Sequence, residues 1–273
     1  MSDTREAAKR AALEAGAFVR ERFAAGRAGR ILAKGKKDFV TEVDTGSEGM
    51  IKATLGAAFP SIGFLAEETA AAPSGDAFWI IDPLDGTTNF IHGYPAVGVS
   101  IALMETKRIT VACVYDPLRE ELFEAAAGEG AMLNGAPIRV SGARSLEASL
   151  LGTGFPFSAP RHLDAYLRSF KDLFHACRDI RRAGAAVLDL SHVAAGRLDG
   201  FWELHLKPWD MAAGALLVRE AGGIVGDFFG GDGFLQSGNI VAASPALFDP
   251  IVETTRRHFT PESVADLSTR FLP

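Results

Sequence analysis

Apolar positions recur through residues 3–25 at Ala8, Ala11, Ala15, Phe18 and Phe23, the spacing of one face of an amphipathic helix, with Asp3 as its N-cap and Glu6 three positions on. A second helix is predicted from about Thr45 to Phe59, stopped by Pro60, and GFLAEET then reads as a short apolar strand ending on Glu67 and Glu68. Residues 78–81, Phe-Trp-Ile-Ile, form a continuous apolar run, the mark of a strand buried on both faces. From Val97 to Val140 four strand-like segments, VGVSIALM, ITVACVYD, ELFEAAAG and APIRV, follow one another as an antiparallel meander. The periodicity changes after GARSLEAS at 142–149. Beyond it SLLGTGFP and RDIRRAG read as strands, and residues 160–176 and AAVLDLSHVAAG as helices, the latter capped by Gly196. A strand from Leu198 to Leu204 precedes a helix that opens at Asp210, carries Ala213, Leu216 and Leu217, and stops at Gly222-Gly223. The pattern predicts two halves packed as one unit. Residues 1–145 form an α+β half with an antiparallel sheet, and residues 146–273 an α/β half whose sheet is mixed and partly parallel.

Chemistry concentrates where the buried run ends. Residues 78–90 read FWIIDPLDGTTNF, so the strand delivers Asp82 to its own end, and Pro83 obliges the chain to leave the ladder there. Asp85, three residues on, returns to the same side of the turn. Gly86 permits close backbone approach, and Thr87, Thr88 and Asn89 suit the start of a helix, whose first N–H groups lack partners. Taken alone, the segment is a strand, a tight turn and a helix cap in which both aspartates form Asx turns. Taken as a site, it offers oxygen ligands for a hard cation beside N–H donors for an anion.

As a whole the string is far more specific than an Asp-x-x-Asp, and it resembles the signature of the inositol monophosphatase family, Mg²⁺-dependent and lithium-sensitive phosphomonoesterases. The segment WDMAAGALLVREAGG, containing Asp210, is similar to that family's C-terminal signature. The resemblance spans roughly residues 30–245 and implies an α+β fold, a layered αβαβα sandwich of the sugar-phosphatase type, usually a homodimer. It implies Glu67, Asp82, Asp85, Asp210 and the Leu84 carbonyl as ligands of about two or three Mg²⁺ ions. It implies that Gly86 and Thr87 hold phosphate, that Asp44 orients Thr87, and that Thr87 and Glu67 serve hydrolysis by a metal-activated water. It places Asp85, Glu203 and the backbone of Ala186 beside the substrate, with Lys36 on a loop over the site and Glu68 in support. On spacing alone, Lys34, Lys36 and Lys37 are a solvated basic loop, Asp44 and Asp210 are N-caps, and Glu67 and Glu68 are a surface pair on opposite faces of a strand end. In one departure, His205 stands where bacterial relatives usually carry glycine. The other histidines lack ligand spacing.

Composition narrows the rest. The 273 residues are 48% hydrophobic and evenly mixed, enough for a large core. A formal net charge of −6 argues against nucleic acid as the main ligand. Cys113 and Cys177 read as reduced structural thiols, and neither a secretory h-region nor a membrane-spanning apolar run is visible, which predicts a soluble cytoplasmic protein. Within the family, Thr88 stands where the nucleotide-directed branch usually has lysine, and Glu203 suits a polyol. The expected reaction is hydrolysis of a phosphate monoester, inositol 1-phosphate to inositol and phosphate. Fructose 1,6-bisphosphate, histidinol phosphate and 3'-phosphoadenosine 5'-phosphate are the alternatives, and a regulatory partner-binding protein that keeps the fold is the alternative of another class.

Overall fold

The apolar run Phe78–Ile81 alternates its side chains between two cores, and the rest of the chain is layered around it. Trp79 and Ile81 enter one cluster of buried residues, Phe78 and Ile80 another. The computed structural model describes residues 2–26, 31–35, 38–70, 73 and 75–267. Helix α1 is Ser2–Ala24, strands β1 (Ile31–Gly35) and β2 (Asp38–Thr41) form an antiparallel pair, and α2 is Glu42–Ala58. Strand β3 (Gly63–Ala66) lies parallel to β4 (Ala77–Asp85), and the short helix α3 (Thr87–His92) follows. The expected meander is present as β5 (Gly98–Glu105), β6 (Arg108–Asp116), β7 (Glu121–Ala126), β8 (Ala131–Leu133) and β9 (Ala136–Ile138), giving a seven-stranded sheet in the order β3-β4-β5-β6-β7-β8-β9.

The remaining elements are β10 (Leu150–Thr153), α4 (Leu163–Ala176), β11 (Asp179–Arg181), α5 (Ala186–Ala194), β12 (Gly200–Leu204), α6 (Pro208–Glu220), β13 (Ile224–Gly226), α7 (Phe234–Ser237), β14 (Asn239–Ala243) and α8 (Pro245–His258). Their five-stranded sheet runs β11-β10-β12-β14-β13, parallel across β11, β10 and β12 and antiparallel through β14. This is the mixed sheet the sequence predicts. The elements after Gly223, among them the 14-residue α8, had drawn no assignment from the sequence.

Three buried clusters define the layers. Helices α1 and α2 cover the outer face of the first sheet through Ala8, Ala15, Val19, Ile51 and Leu55. Between the sheets lie α5 and α6, whose Leu190, Met211 and Leu217 pack with Ile80, Val114 and Phe123 on one side and Phe201, Ile240 and Ala242 on the other. Helices α4 and α8 close the second sheet with Tyr166, Leu173, Leu247 and Ile251 around Trp202 and Val241. The architecture is therefore αβαβα. Helix α6 is buried along residues 208–218 apart from Asp210, as a helix between two apolar faces must be, and not along a single stripe. Its position carries Asp210 to the end of β4.

Several helix starts differ from the expectation. Helix α1 opens at Ser2, placing Asp3 inside the first turn. Helix α2 begins three residues early because Thr41, and not Asp44, is its N-cap: Thr41 Oγ1 accepts from the Val43 N–H, and Asp44 closes a capping box by accepting from the Thr41 N–H. Likewise Lys207 is the N-cap residue of α6, and Asp210 Oδ2 accepts its N–H at 2.7 Å. Both cysteines are free thiols, Cys113 buried and Cys177 partly so. Among the described residues no helix is long and apolar enough to cross a membrane.

Candidate active site

Strand β4 does not end at Pro83. Asp82 pairs with Ser100 and Asp85 with Gly98, so three residues of β4 advance against two of β5, and the Pro83–Leu84 step is a bulge. Residues three apart on a regular strand face opposite sides; the extra residue returns Asp85 to the side of Asp82. The bulge is pinned from outside the sheet by Ser47 Oγ, which donates to Pro83 O at 2.7 Å. The Asx turn is also present: the Leu84 N–H donates to Asp82 Oδ1 at 3.0 Å.

Gly86 follows with φ 88°, a left-handed conformation, and a Cβ there would lie 2.7 Å from Ala96 O. Only glycine fits both conditions. Thr87 then opens α3, and its hydroxyl donates to Asp44 Oδ1 at 2.8 Å, with Leu84 O at 3.2 Å. Asp44 is 1% exposed. Burial holds its carboxyl above the usual range, against the hydrogen bonds from Thr41 and Thr87 that favour the anion. Asn89 Nδ2 fastens the same helix to the second half of the chain, lying 2.8 Å from Ala96 O, 3.0 Å from Ala183 O and 3.2 Å from Gly184 O.

The acids converge from four elements. Asp82 and Asp85 come from β4 and Asp210 from α6, while Glu67 stands in the turn after β3, its N–H bonded to Ile81 O at 3.1 Å. Its neighbour Glu68 donates its N–H to Glu48 Oε2 at 2.9 Å, and both glutamates stand in the turn past the end of β3, not on the alternating faces of a strand. Burial, then the charges of Glu67, Asp85 and Asp210, holds Asp82 well above the ordinary carboxylate range. Asp85 is pushed up to about 7, by burial first, against the Val187 N–H that donates to its Oδ2 at 2.8 Å. Asp210 likewise rises to about 7, through burial and then the Asp85 charge. Glu203 on β12 rises well above its usual value through burial and then Asp189. It fits because the chain just past β10 is bare beside it: a Cβ on Gly154 would fall 1.9 Å from Glu203 Oε1. Ala186, the first residue of α5, sits beside Val187 and so beside Asp85. Lys36 lies outside the described residues.

Three contributors were not singled out from the sequence. Asp189 is 2% exposed and is pushed up to about 7 by burial, with Arg182 opposing the rise, and its charge acts on both Asp85 and Glu203. A lone acid inside the apolar run AAVLDLSHV was the available signal. Thr41 and Ser47 were the others, and polar residues near a helix start carry no such flag. His205, which stands where glycine is usual, has φ 70°, the conformation that explains a glycine preference at this position. Its Nδ1 lies 2.7 Å from Ser158 Oγ, and burial with the Lys207 charge pushes it down to about 4.

Whether a cation fits is a matter of charge and donor chemistry. Among the described residues no three His, Cys, Asp or Glu side chains stand close enough to hold an ion as placed. Yet Glu67, Asp82, Asp85 and Asp210 are hard oxygen donors, and burial together with mutual repulsion resists their joint ionisation. A divalent cation is the species that would let them ionise together.

The model of the inositol monophosphatase family matches residues 1–259. The chain is 51% identical over 234 residues to "Nus factor SuhB" of Pseudomonas aeruginosa, covering 84% of this chain and 86% of that protein. Among solved structures it is similar to the extragenic suppressor protein suhB of Bartonella henselae, with TM-score 0.87, 38% identity and coverage of 92% and 97% of the two chains. It is also similar to an inositol monophosphatase from Anabaena, with TM-score 0.84, 37% identity and coverage of 93% and 96%.

Proposed function

The chain belongs to the inositol monophosphatase family, and from that premise we propose that it hydrolyses a phosphate monoester, inositol 1-phosphate to inositol and phosphate, with Mg²⁺. The observation that carries this reading is the convergence of Asp82, buried, with Asp85 and Asp210, both half-buried, each raised by neighbouring acids. Glu67, Asp82, Asp85, Asp210 and the Leu84 carbonyl would hold the ions. When bound, such ions neutralise the phosphoryl group and keep the attacking and departing oxygens in line. The protein's own part is positioning and proton transfer. The Thr87 hydroxyl, donating to Asp44, would take a proton from the attacking water as it passes its own to Asp44, whose raised pKa makes it the better acceptor. Glu67 would share that role. The N–H groups of Gly86 and Thr87 would hold phosphate oxygens, while Asp85, Glu203 and the backbone at Ala186 receive the polyol. Residues 1–145 and 146–273 act as one catalytic unit in this reading, because the acids of the site come from both.

The test is phosphate release, with and without Mg²⁺, from inositol 1-phosphate, fructose 1,6-bisphosphate, histidinol phosphate and 3'-phosphoadenosine 5'-phosphate. Mg²⁺-dependent turnover fastest on inositol 1-phosphate, and lost in Asp85→Asn, is the expected outcome. Preference for another substrate keeps the mechanism and moves the branch. No turnover on any of them overturns the reading.

A second reading is regulatory, motivated by relatives named Nus factor SuhB. In it the fold is kept for partner contacts, and a partner captured equally by the wild type and by Asp85→Asn would separate that role from hydrolysis. We also take the protein to be a homodimer. Leu163, Leu167 and Phe174 form an exposed stripe on α4, 39%, 42% and 60% accessible, that a second copy could cover. Sedimentation of Leu167→Glu, expected to shift toward monomer, checks it.

A further inference from the structure

At the end of the sandwich opposite the acids, a cleft of about 720 Å³ opens between the β5–β6 turn and the last turn of α6. Strand β4 enters its ladder here at Ala77 and reaches Asp85 at the other end, and α6, with 13 residues, runs about 20 Å from Pro208 to this cleft. Phe78, Met104, Leu216, Phe234 and Leu235 line it, each 7% exposed or less. None of them is among the large hydrophobic residues that the surface exposes. The apolar lining is therefore a recess and not a flat face, and its volume is that of a small-molecule site.

The rim is cationic. The side chains of Lys107 and Arg108 are exposed at the mouth and make no hydrogen bond or ion pair with the described residues. Arg219 stands on the opposite wall, its guanidinium 5.3 Å from the Phe234 ring centroid and 2.6 Å from Asp232. Against these three cations stand Asp76 and Asp232, a local excess of positive charge on a chain whose net charge is −6. The turn that presents Lys107 is strained: Thr106 and Lys107 have φ of 49° and 63°, positions of a tight hairpin that normally go to Asn and Gly. A lysine held in the left-handed region at a cleft mouth is an outlier that asks for a use.

We propose that this cleft binds a small organic anion, an apolar ring or chain bearing one carboxylate, sulfonate or phosphate group. The apolar body enters between Met104, Leu216 and Phe234, and the anionic group lies at the mouth against Lys107 and Arg108. The site is independent of the hydrolytic reading above, since it shares no residue with the acids.

The probe is 8-anilinonaphthalene-1-sulfonate, with its uncharged analogue N-phenyl-1-naphthylamine, followed by fluorescence on the full chain. The expected result is saturable one-to-one binding of the sulfonate. In Lys107→Glu/Arg108→Glu, sulfonate affinity falls about tenfold or more while that of the neutral analogue is unchanged. Ile109→Trp, which narrows the cleft, weakens both probes. All three positions are at least partly exposed, and unchanged melting curves verify folding. Non-saturable fluorescence, or sulfonate binding that the charge-reversed variant leaves intact, overturns the proposal, and the charge-reversed variant decides it even if Ile109→Trp does not fold.

Discussion

Helix α6 has opposite chemistry at its two ends. Its first turn carries Asp210 into a group of carboxyls that burial and mutual repulsion raise toward neutral pH, whereas its last turn carries Arg219 to a cleft whose charges stay in water. At the first end, like charges are held close in a poorly solvating interior, a cost that a folded protein keeps only where something of opposite charge arrives. At the second, Lys107 and Arg108 cost almost nothing while unoccupied, so the electrostatics can only bias which ligand enters. Strained electrostatics therefore marks the site of chemistry, and relaxed electrostatics at most a site of selection.

The sharpest way to break this contrast is to neutralise one end at a time. Asp85→Asn is expected to lower Mg²⁺-dependent phosphate release by about 100-fold or more, whereas Lys107→Glu leaves it within about twofold. Comparable losses would abolish the distinction. A pair of left-handed glycines comes next. Gly86 (φ 88°) has a backbone carbonyl 2.7 Å from the position of an added Cβ, and Gly75 (φ 90°), on the rim of the cleft, has nothing within 4 Å. Urea denaturation should show Gly86→Ala costing about 2–4 kcal/mol and Gly75→Ala about 1 kcal/mol, backbone strain being common to both and the clash to one.

Dependence on pH sharpens the comparison further. Folding raises Asp85 and Asp210 from an ordinary 3.8 to about 7, so the folded state holds protons that the unfolded chain has released. The stability this confers is whole below about pH 4 and is lost as pH rises through about 7. Melting of metal-free protein should show that decline, Asp85→Asn should flatten it, and millimolar Mg²⁺ should raise the melting temperature at pH 7.5 but not at pH 4. The smallest effect is expected for His205→Gly. Relief of a left-handed residue, about 1 kcal/mol, is offset by the added freedom of the unfolded chain and the lost Ser158 contact, leaving a change under about 1 kcal/mol.

Much of the site was legible because it is local. One thirteen-residue string encodes the strand, the turn and the start of α3, and each of Asp82, Asp85, Gly86 and Thr87 lies within it. The bulge was not legible. Proline signals departure from a ladder, and only the pairing with Ser100 and Gly98 shows that the strand resumes. The caps at Thr41 and Lys207 were missed because a carboxylate at N3 imitates an N-cap in sequence. Asp189 was hidden by its apolar surroundings, and the cleft by distance, since Lys107 and Arg219 meet only after the sheets have stacked.

The order of the layers has a consequence for biosynthesis. The seven-stranded sheet is complete at Ile138, but its inner face, with Ile80, Val114 and Phe123, is covered only by α5 and α6. A nascent chain therefore carries a finished, uncovered apolar sheet until residues 186–220 have left the ribosome. Translation pausing in that interval would lengthen the exposure, and a chain truncated there would be a substrate for chaperones or for aggregation.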